Sequence, residues 1–335
     1  MKRHKNIYKD FVSDENILKA ILSAVKGKKH RQDVKSFMGD IKNKVNELKG
    51  ILAQGWIPSP YRNKIIRDKG KERLLSIAPF FPDRIIHHMV NNSLEKIYMP
   101  IFISDTYQCI KGRGTHKAIN KTKQYMKVEE NAWVLKLDIK KYYPNVDNEI
   151  LKQKLRRKIK DLQFLSVVDS IIDSHKGLPL GNHTSQLLGN IYLNDIDHLI
   201  KSKCKYYVRY ADDLVIMGDK STVSDTYDII KNSLNVHKLE LNMSTQKFCL
   251  KDRHLSFLGF VYDKYGRNGV YIRPKKQKLI QREYSSEQKA SLFGWVKGAK
   301  SVVFLHKLFR FELYIQKKPN YVYRFLIDKN KRGIK

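Results

Sequence analysis

The chain has 335 residues, with 66 Lys and Arg against 33 Asp and Glu and a formal net charge of +33. That length carries a sizeable core and two or three lobes, and the charge excludes a cationic main partner. It points instead to a polyanion whose phosphates shed counterions on contact, with 19 Tyr and 14 Phe as stacking platforms.

Ser13 or Asp14 caps a first helix whose apolar positions Ile17, Leu18, Ile21, Leu22 and Val25 keep helical spacing up to Gly27. A basic linker, 26–31, leads to a second amphipathic helix marked by Phe37, Ile41, Val45 and Leu48 and closed by Gly50. After the turn-rich 55–60, residues 65–77 read as a hairpin with Asp68-Lys69-Gly70-Lys71 at its tip, and 82–97 as a helix carrying Arg84, His87 and His88. Val134–Asp138 is a short apolar run that delivers an acid at its end, followed by helices over 149–160 and 185–201. A glycine-bearing loop, Gly177-Leu178-Pro179-Leu180-Gly181-Asn182, separates those two helices. A hairpin comes next, then a helix around 223–234 and strands at Phe248, 258–262 and 270–273. From Gln277 the pattern is helical and basic, with Phe293, Trp295 and Phe304 as core. No apolar run reaches the length of a membrane span, and Met1-Lys2-Arg3-His4-Lys5 lacks the apolar stretch of a secretory signal. Cys109, Cys204 and Cys249 form no metal spacing and suit a reducing cytoplasm.

Tyr210-Ala211-Asp212-Asp213 carries the chemistry. Its flanks, Tyr206-Tyr207-Val208-Arg209 and Leu214-Val215-Ile216-Met217, are strand-like, so two adjacent acids occupy a tight turn between apolar strands. Like charges so close are costly unless a hard divalent cation neutralises them; a solvated Asp-Asp turn is the alternative. Asp138 tips the balance, because two-metal nucleotidyl transfer needs carboxylates from neighbouring strands holding cations about 3.5–4 Å apart. His87, His88 and His116 lack the spacing of zinc ligands and are expected in packing or template contacts.

In that order and over nearly the whole chain, these motifs resemble those of the reverse transcriptases. Asp138 matches the first catalytic acid, Asp212 and Asp213 the Tyr-x-Asp-Asp box, and Phe257-Leu258-Gly259 the primer grip. The blocks Ala78-Pro79-Phe80-Phe81-Pro82-Asp83-Arg84 and Gly112-Arg113-Gly114-Thr115-His116-Lys117-Ala118 look like those of bacterial, group II intron-type enzymes. Leu180-Gly181-Asn182-His183-Thr184-Ser185-Gln186 is similar to the loop of diversity-generating retroelement enzymes, where most relatives carry Gln in place of Leu180 and Pro in place of Gln186.

The resemblance implies an α+β right-hand polymerase. Residues 1–50 would be a basic helical extension, 51–132 and 149–177 the fingers, 133–148 and 178–265 the palm with an antiparallel sheet, and 266–335 a helical thumb. It implies two Mg²⁺ ions, with Mn²⁺ as a substitute, on Asp138, Asp212 and the Ile139 carbonyl, and Asp213 completing the acidic set. Lys69 and Arg73 would clamp the triphosphate, Tyr143 would gate the sugar so that the product is DNA, and Gly181, Asn182 and Gln186 would line the nucleotide site with Leu180. Solvated hairpin charge is the alternative for Lys69 and Arg73, a half-buried strand-end aromatic for Tyr143, and loop packing for Leu180. Leu180 cannot make the usual Gln hydrogen bond, and in the diversity-generating enzymes this replacement accompanies errors opposite template adenines. Lys247 stands roughly where the family places a lysine that protonates pyrophosphate; its spacing from Asn242 is longer than usual, so a surface lysine is the alternative.

Implied partners are template RNA, primer, cDNA product and dNTPs, with a small basic accessory protein and no membrane. The compartment implied is the cytoplasm of a bacterial or phage-encoded system. No ribonuclease H, endonuclease or DNA-binding segment is recognisable. A retron or phage-defence enzyme shares the same chemistry, and a non-catalytic RNA-binding scaffold is the alternative of a different class.

Overall fold

The computed structural model describes residues 3–68, 71–128, 132–262 and 270–272, together with residues 288, 291, 292, 294 and 295. Four helices open the chain: α1 (Ile7–Phe11), α2 (Asp14–Val25), α3 (Gln32–Gly39) and α4 (Ile41–Ala53). Ser13 caps α2 by accepting from Asn16 N at 3.3 Å. The buried stripe of α2 is Ile17, Ala20, Ile21, Ala24 and Val25, whereas Leu18 and Leu22 are 52% and 73% exposed. The expected helix is present, and its buried stripe is narrower than its run of apolar residues. The single helix expected over 37–50 is two, because Asp40 leaves helical geometry at φ −128°, ψ 33°. Gly50 lies inside α4 rather than closing it, between the buried Leu48 and Leu52.

Strands β1 (Arg62–Asp68) and β2 (Lys71–Ile77) form the expected antiparallel hairpin, from Arg62↔Ile77 to Asp68↔Lys71. Its tip, including Lys69, lies outside the described residues. Helix α5 (Ile85–Tyr98) follows, buried along most of its length and packed on α2. Buried polar side chains need partners, and α5 finds several: Asn92 Nδ2 donates to Asn16 Oδ1 at 2.9 Å and Asn91 Nδ2 to the His183 carbonyl at 3.1 Å.

Beyond α6 (Thr115–Met126), the remaining elements are β3 (Trp133–Asp138), α7 (Asn148–Lys158), α8 (Leu162–Asp173), α9 (His183–Lys203), β4 (Tyr206–Tyr210), β5 (Asp213–Gly218), α10 (Lys220–Val236) and β6 (Gln246–Cys249). Helix α8 was not anticipated, although Asp161 caps it by accepting from Phe164 N at 3.0 Å and Phe164, Leu165, Val168, Ile171 and Ile172 keep helical spacing. The strands form a fully antiparallel sheet in the order β4-β5-β3-β6. Leu135, Leu137, Tyr207, Leu214 and Ile216 enter one core, while Val134, Val208, Val215 and Met217 enter another. Burial on both faces is why these strands read as nearly continuous apolar runs rather than as alternating ones.

The strand expected over 258–262 is divided. Leu258 and Gly259, at φ 51° and 88°, turn the chain between β7 (Leu255–Phe257) and β8 (Phe260–Tyr262), which then pairs with β9 (Val270–Ile272). Two positive φ values are what a two-residue hairpin turn of matching twist requires. The Trp295 ring packs 4.9 Å from that of Phe260, while Phe293 and Phe304 lie outside the described residues.

Candidate active site

Register brings the acids together. Asp138 ends β3 opposite Asp213, the first residue of β5, and the Ile139 amide donates to the Asp212 carbonyl at 3.2 Å. Tyr210↔Asp213 is the last pair of the β4–β5 hairpin, so Ala211 and Asp212 are the turn itself, with Ala211 at φ 58°. Asn242 braces the other side: its amide N donates to the Asp138 carbonyl at 2.7 Å and its Nδ2 to Asp138 Oδ2 at 3.0 Å.

Beneath the turn lies a residue that the motif reading passed over. Arg209 is 1% exposed, and its Nε and Nη2 donate to Asp197 at 2.7 and 2.6 Å. Its Nη1 donates to the Ala211 carbonyl and to Asn190 Oδ1, each at 3.0 Å. An arginine inside an otherwise apolar strand was the available signal, since a buried charge demands a partner.

The electrostatics single out one pair of acids. Burial, the largest influence, raises the Asp212 carboxyl above its ordinary range; its own backbone amide opposes this, the Asp138 charge raises it further, and Arg73 and Arg209 pull it down. Arg73 belongs to β2, and its charge acts on Asp212 across the site. Among the described residues, no group of three or more His, Cys, Asp and Glu side chains is placed to hold a metal. The ladder pairs Asp138 with Asp213, and Asp212 occupies the adjoining turn, so the three acids lie at one end of the sheet. Two hard carboxylates held side by side, next to a main-chain segment that adds carbonyl oxygens, form a donor set that fits a hard divalent cation.

Tyr143, half-buried in the 3-10 turn Tyr143–Asn145, also reaches this locus. Burial raises its hydroxyl, and the Asp212 charge raises it further. Its O–H donates to Gln186 Oε1 at 2.6 Å. The loop before α9 docks on β2: Ser76 N donates to the Leu180 carbonyl at 2.8 Å, and a Cβ on Gly181, at φ +110°, would stand 3.3 Å from the Ser76 carbonyl. Asn182 is buried, and its Oδ1 accepts from Ala78 N at 3.3 Å, which ties the loop to the segment just after β2. Lys247 pairs with Leu135, three positions short of Asp138, and its Nζ donates to Ser224 on α10 at 3.1 Å; this placement matches the surface-lysine alternative. Phe257 is buried and the Leu258-Gly259 turn meets Trp295, where a Cβ on Gly259 would stand 2.8 Å from Cζ2.

The histidines behave as packing groups. His87 Nδ1 lies 3.1 Å from Thr184 Oγ1, the His88 and His183 rings stack at 4.1 Å, and His116 Nε2 lies 2.6 Å from the Gly294 carbonyl.

Residues 57–262, which hold every one of these acids, match the family model described as reverse transcriptase (RNA-dependent DNA polymerase). The chain belongs to the reverse transcriptase family. Protein YkfC of Escherichia coli (strain K12) is 26% identical over 263 residues, covering 62% of this chain and 68% of YkfC. Group II intron-encoded protein LtrA of Lactococcus lactis subsp. cremoris is 27% identical over 175 residues, which is 48% of this chain and 29% of LtrA. Its relatives thus include a group II intron-encoded protein, consistent with a group II intron-like reverse transcriptase. Among solved structures, the apo telomerase of Candida tropicalis aligns with a TM-score of 0.51 at 14% identity, over 72% of this chain and 51% of that one. The telomerase of Candida albicans, in complex with a fragment of telomeric RNA, aligns with a TM-score of 0.51 at 11% identity, over 87% and 57%. Those likenesses bear on the fold, which is the right-hand polymerase fold: mixed helices around an antiparallel sheet. This reverse transcriptase spans under a third of LtrA and about half of the telomerase chain. No helix among its described residues is long and apolar enough to cross a membrane.

Proposed function

We propose that this reverse transcriptase copies a template RNA into cDNA by two-metal nucleotidyl transfer, in the cytoplasm, and that it serves a diversity-generating retroelement. The observation that carries the chemistry is the register that sets Asp138, at the end of β3, against the Asp212-Asp213 turn, with the Ile139 amide bonded to the Asp212 carbonyl at 3.2 Å. What two Mg²⁺ ions supply there when bound is an activated primer 3′-hydroxyl and neutralisation of the leaving pyrophosphate. Asp138, Asp212 and the Ile139 carbonyl would hold them, with Asp213 in support. Arg73 orients the triphosphate and offsets charge developing on it, the main lever in phosphoryl transfer. Tyr143 stands against the sugar, Leu180 and Gly181 under the nascent pair, and Phe257, Leu258 and Gly259 against the primer.

Residues 1–50 are assigned to a basic extension, 51–132 and 149–177 to fingers, 133–148 and 178–265 to palm, and 266–335 to thumb. A charge of +33 supports a long RNA–DNA duplex as the ligand. A small basic accessory protein and a structured template RNA complete the system.

The experiment is primer extension with purified protein, an RNA template and labelled dNTPs. Asp212→Ala should lower incorporation at least about a thousandfold, because an electrostatic group acting on the transition state is lost. Incorporation equal to the parent's would remove this site from the chemistry. Leu180 and Gln186 support the diversity-generating assignment. Leu180→Gln should reduce errors opposite template adenines, and an unchanged error spectrum would count against that assignment.

A further inference from the structure

Three donors converge on one amide oxygen beside the acids. Gln186 Oε1 accepts from the Tyr143 hydroxyl at 2.6 Å, from Gln108 Nε2 at 3.1 Å and from the Cys109 thiol at 3.6 Å. Gln186 belongs to the first turn of α9, which passes close to the same tyrosine: a Cβ on Gly189 would stand 3.4 Å from Tyr143 Cε1. The ring is therefore confined on one side by helix backbone and held at its far end by a short hydrogen bond. Gln108 is itself anchored, because its carbonyl accepts from Asn190 Nδ2 at 3.0 Å. Burial and the nearby Asp212 charge both keep the Tyr143 hydroxyl protonated, so it remains a donor throughout the working pH range.

A tyrosine side chain has two soft torsions, and steric exclusion by its ring is only as sharp as those torsions are fixed. A proline at position 186 would offer no side-chain acceptor. Resting on the polymerase reading above, we propose that Gln186 is a positioning residue that sets sugar selection. By accepting the Tyr143 hydroxyl, it keeps the ring plane against the 2′ edge of the incoming nucleotide, so that ribonucleoside triphosphates are rejected. Selection between dNTP and rNTP then belongs to the Tyr143–Gln186 pair, with Gln108 orienting the acceptor.

The test measures kcat/KM for a dNTP and the matching rNTP on an RNA template. It uses the parent, Gln186→Met, Tyr143→Phe and the double variant; methionine keeps the length of the side chain and lacks the acceptor. Loss of one hydrogen bond corresponds to about fivefold in the dNTP/rNTP ratio, so each single variant should fall by about that much. The double variant should fall no further than either single, because both remove the same bond. A Gln186→Met enzyme that loses dNTP and rNTP use in equal proportion, or a double variant whose losses multiply, overturns the proposal. Should Gln186→Met fail to fold, Tyr143→Phe decides: an unchanged ratio there overturns it as well. A parent protein that incorporates no deoxynucleotide brings down the polymerase reading and this inference together. A parent that polymerises, with variants whose ratio does not move, brings down this inference only.

Discussion

Arg209 and Asp197 form a two-pronged ion pair, each 1% exposed, in which Nε and Nη2 meet the carboxylate at 2.7 and 2.6 Å. The pair ties the strand that leads into the Ala211-Asp212 turn to α9, and the remaining guanidinium nitrogen holds the Ala211 carbonyl at 3.0 Å. The Tyr207 hydroxyl donates to the same carboxylate at 2.7 Å, so the acid is well satisfied. Paired charges in a dry core are tolerated because each lone pair and proton is used.

Removing one partner strands the other. Arg209→Met should destabilise the fold by about 3–5 kcal/mol in urea or thermal unfolding, the range for leaving a buried charge uncompensated. Arg209→Met combined with Asp197→Leu should recover part of that loss. A single variant as stable as the parent would show that the pair is not buried in solution.

Arg73 acts on the Asp212 charge from the fingertip strand. In the proposed reaction, Arg73→Gln removes a charge-assisted contact to the triphosphate, worth about tenfold or more in kcat/KM for dNTP. RNA affinity at fixed salt should change little, since one phosphate contact among many is lost. Steady-state kinetics alongside a binding titration separate the two; a selective loss of RNA affinity would place Arg73 on the template instead.

His88 makes stability depend on pH. Burial first, then the charges of His183, Lys28, Arg84 and His87, lower its folded-state pKa to about 3. In the unfolded chain it takes a proton near pH 6.5, so the unfolded state binds more protons between those values and stability falls as pH drops through that window. His88→Phe keeps the ring stack on His183 and removes the titration. Between pH 6.5 and 5 the parent should lose about 1–2 kcal/mol more than the variant in urea unfolding. Parallel losses would mean that His88 is protonated in the fold.

The boundary between local pattern and tertiary arrangement follows physical lines. A cap at Ser13, a tight turn at Ala211-Asp212 and an apolar run ending in Asp138 are local, and each was legible because it needs only neighbours in the chain. The right-hand fold and the family were legible through resemblance, because the Tyr210–Asp213 box, the blocks 78–84 and 112–118 and the loop 180–186 are similar to reverse transcriptase motifs. Local pattern failed where a partner decided the outcome. Asp40 breaks a helix that periodicity would have continued.

By itself, the sequence determined most of the elements, the acids at their ends and an overwhelming positive charge. Only the tertiary structure decided that the end of β3 meets the Asp212-Asp213 turn, that Asn182 accepts from Ala78 N, and that Gln186 grips Tyr143 43 residues away. The physical reason is that periodicity tells which face of an element is buried, whereas which donor meets which acceptor depends on how helices and sheet pack. Packing of that kind is settled by contacts between residues remote in the chain.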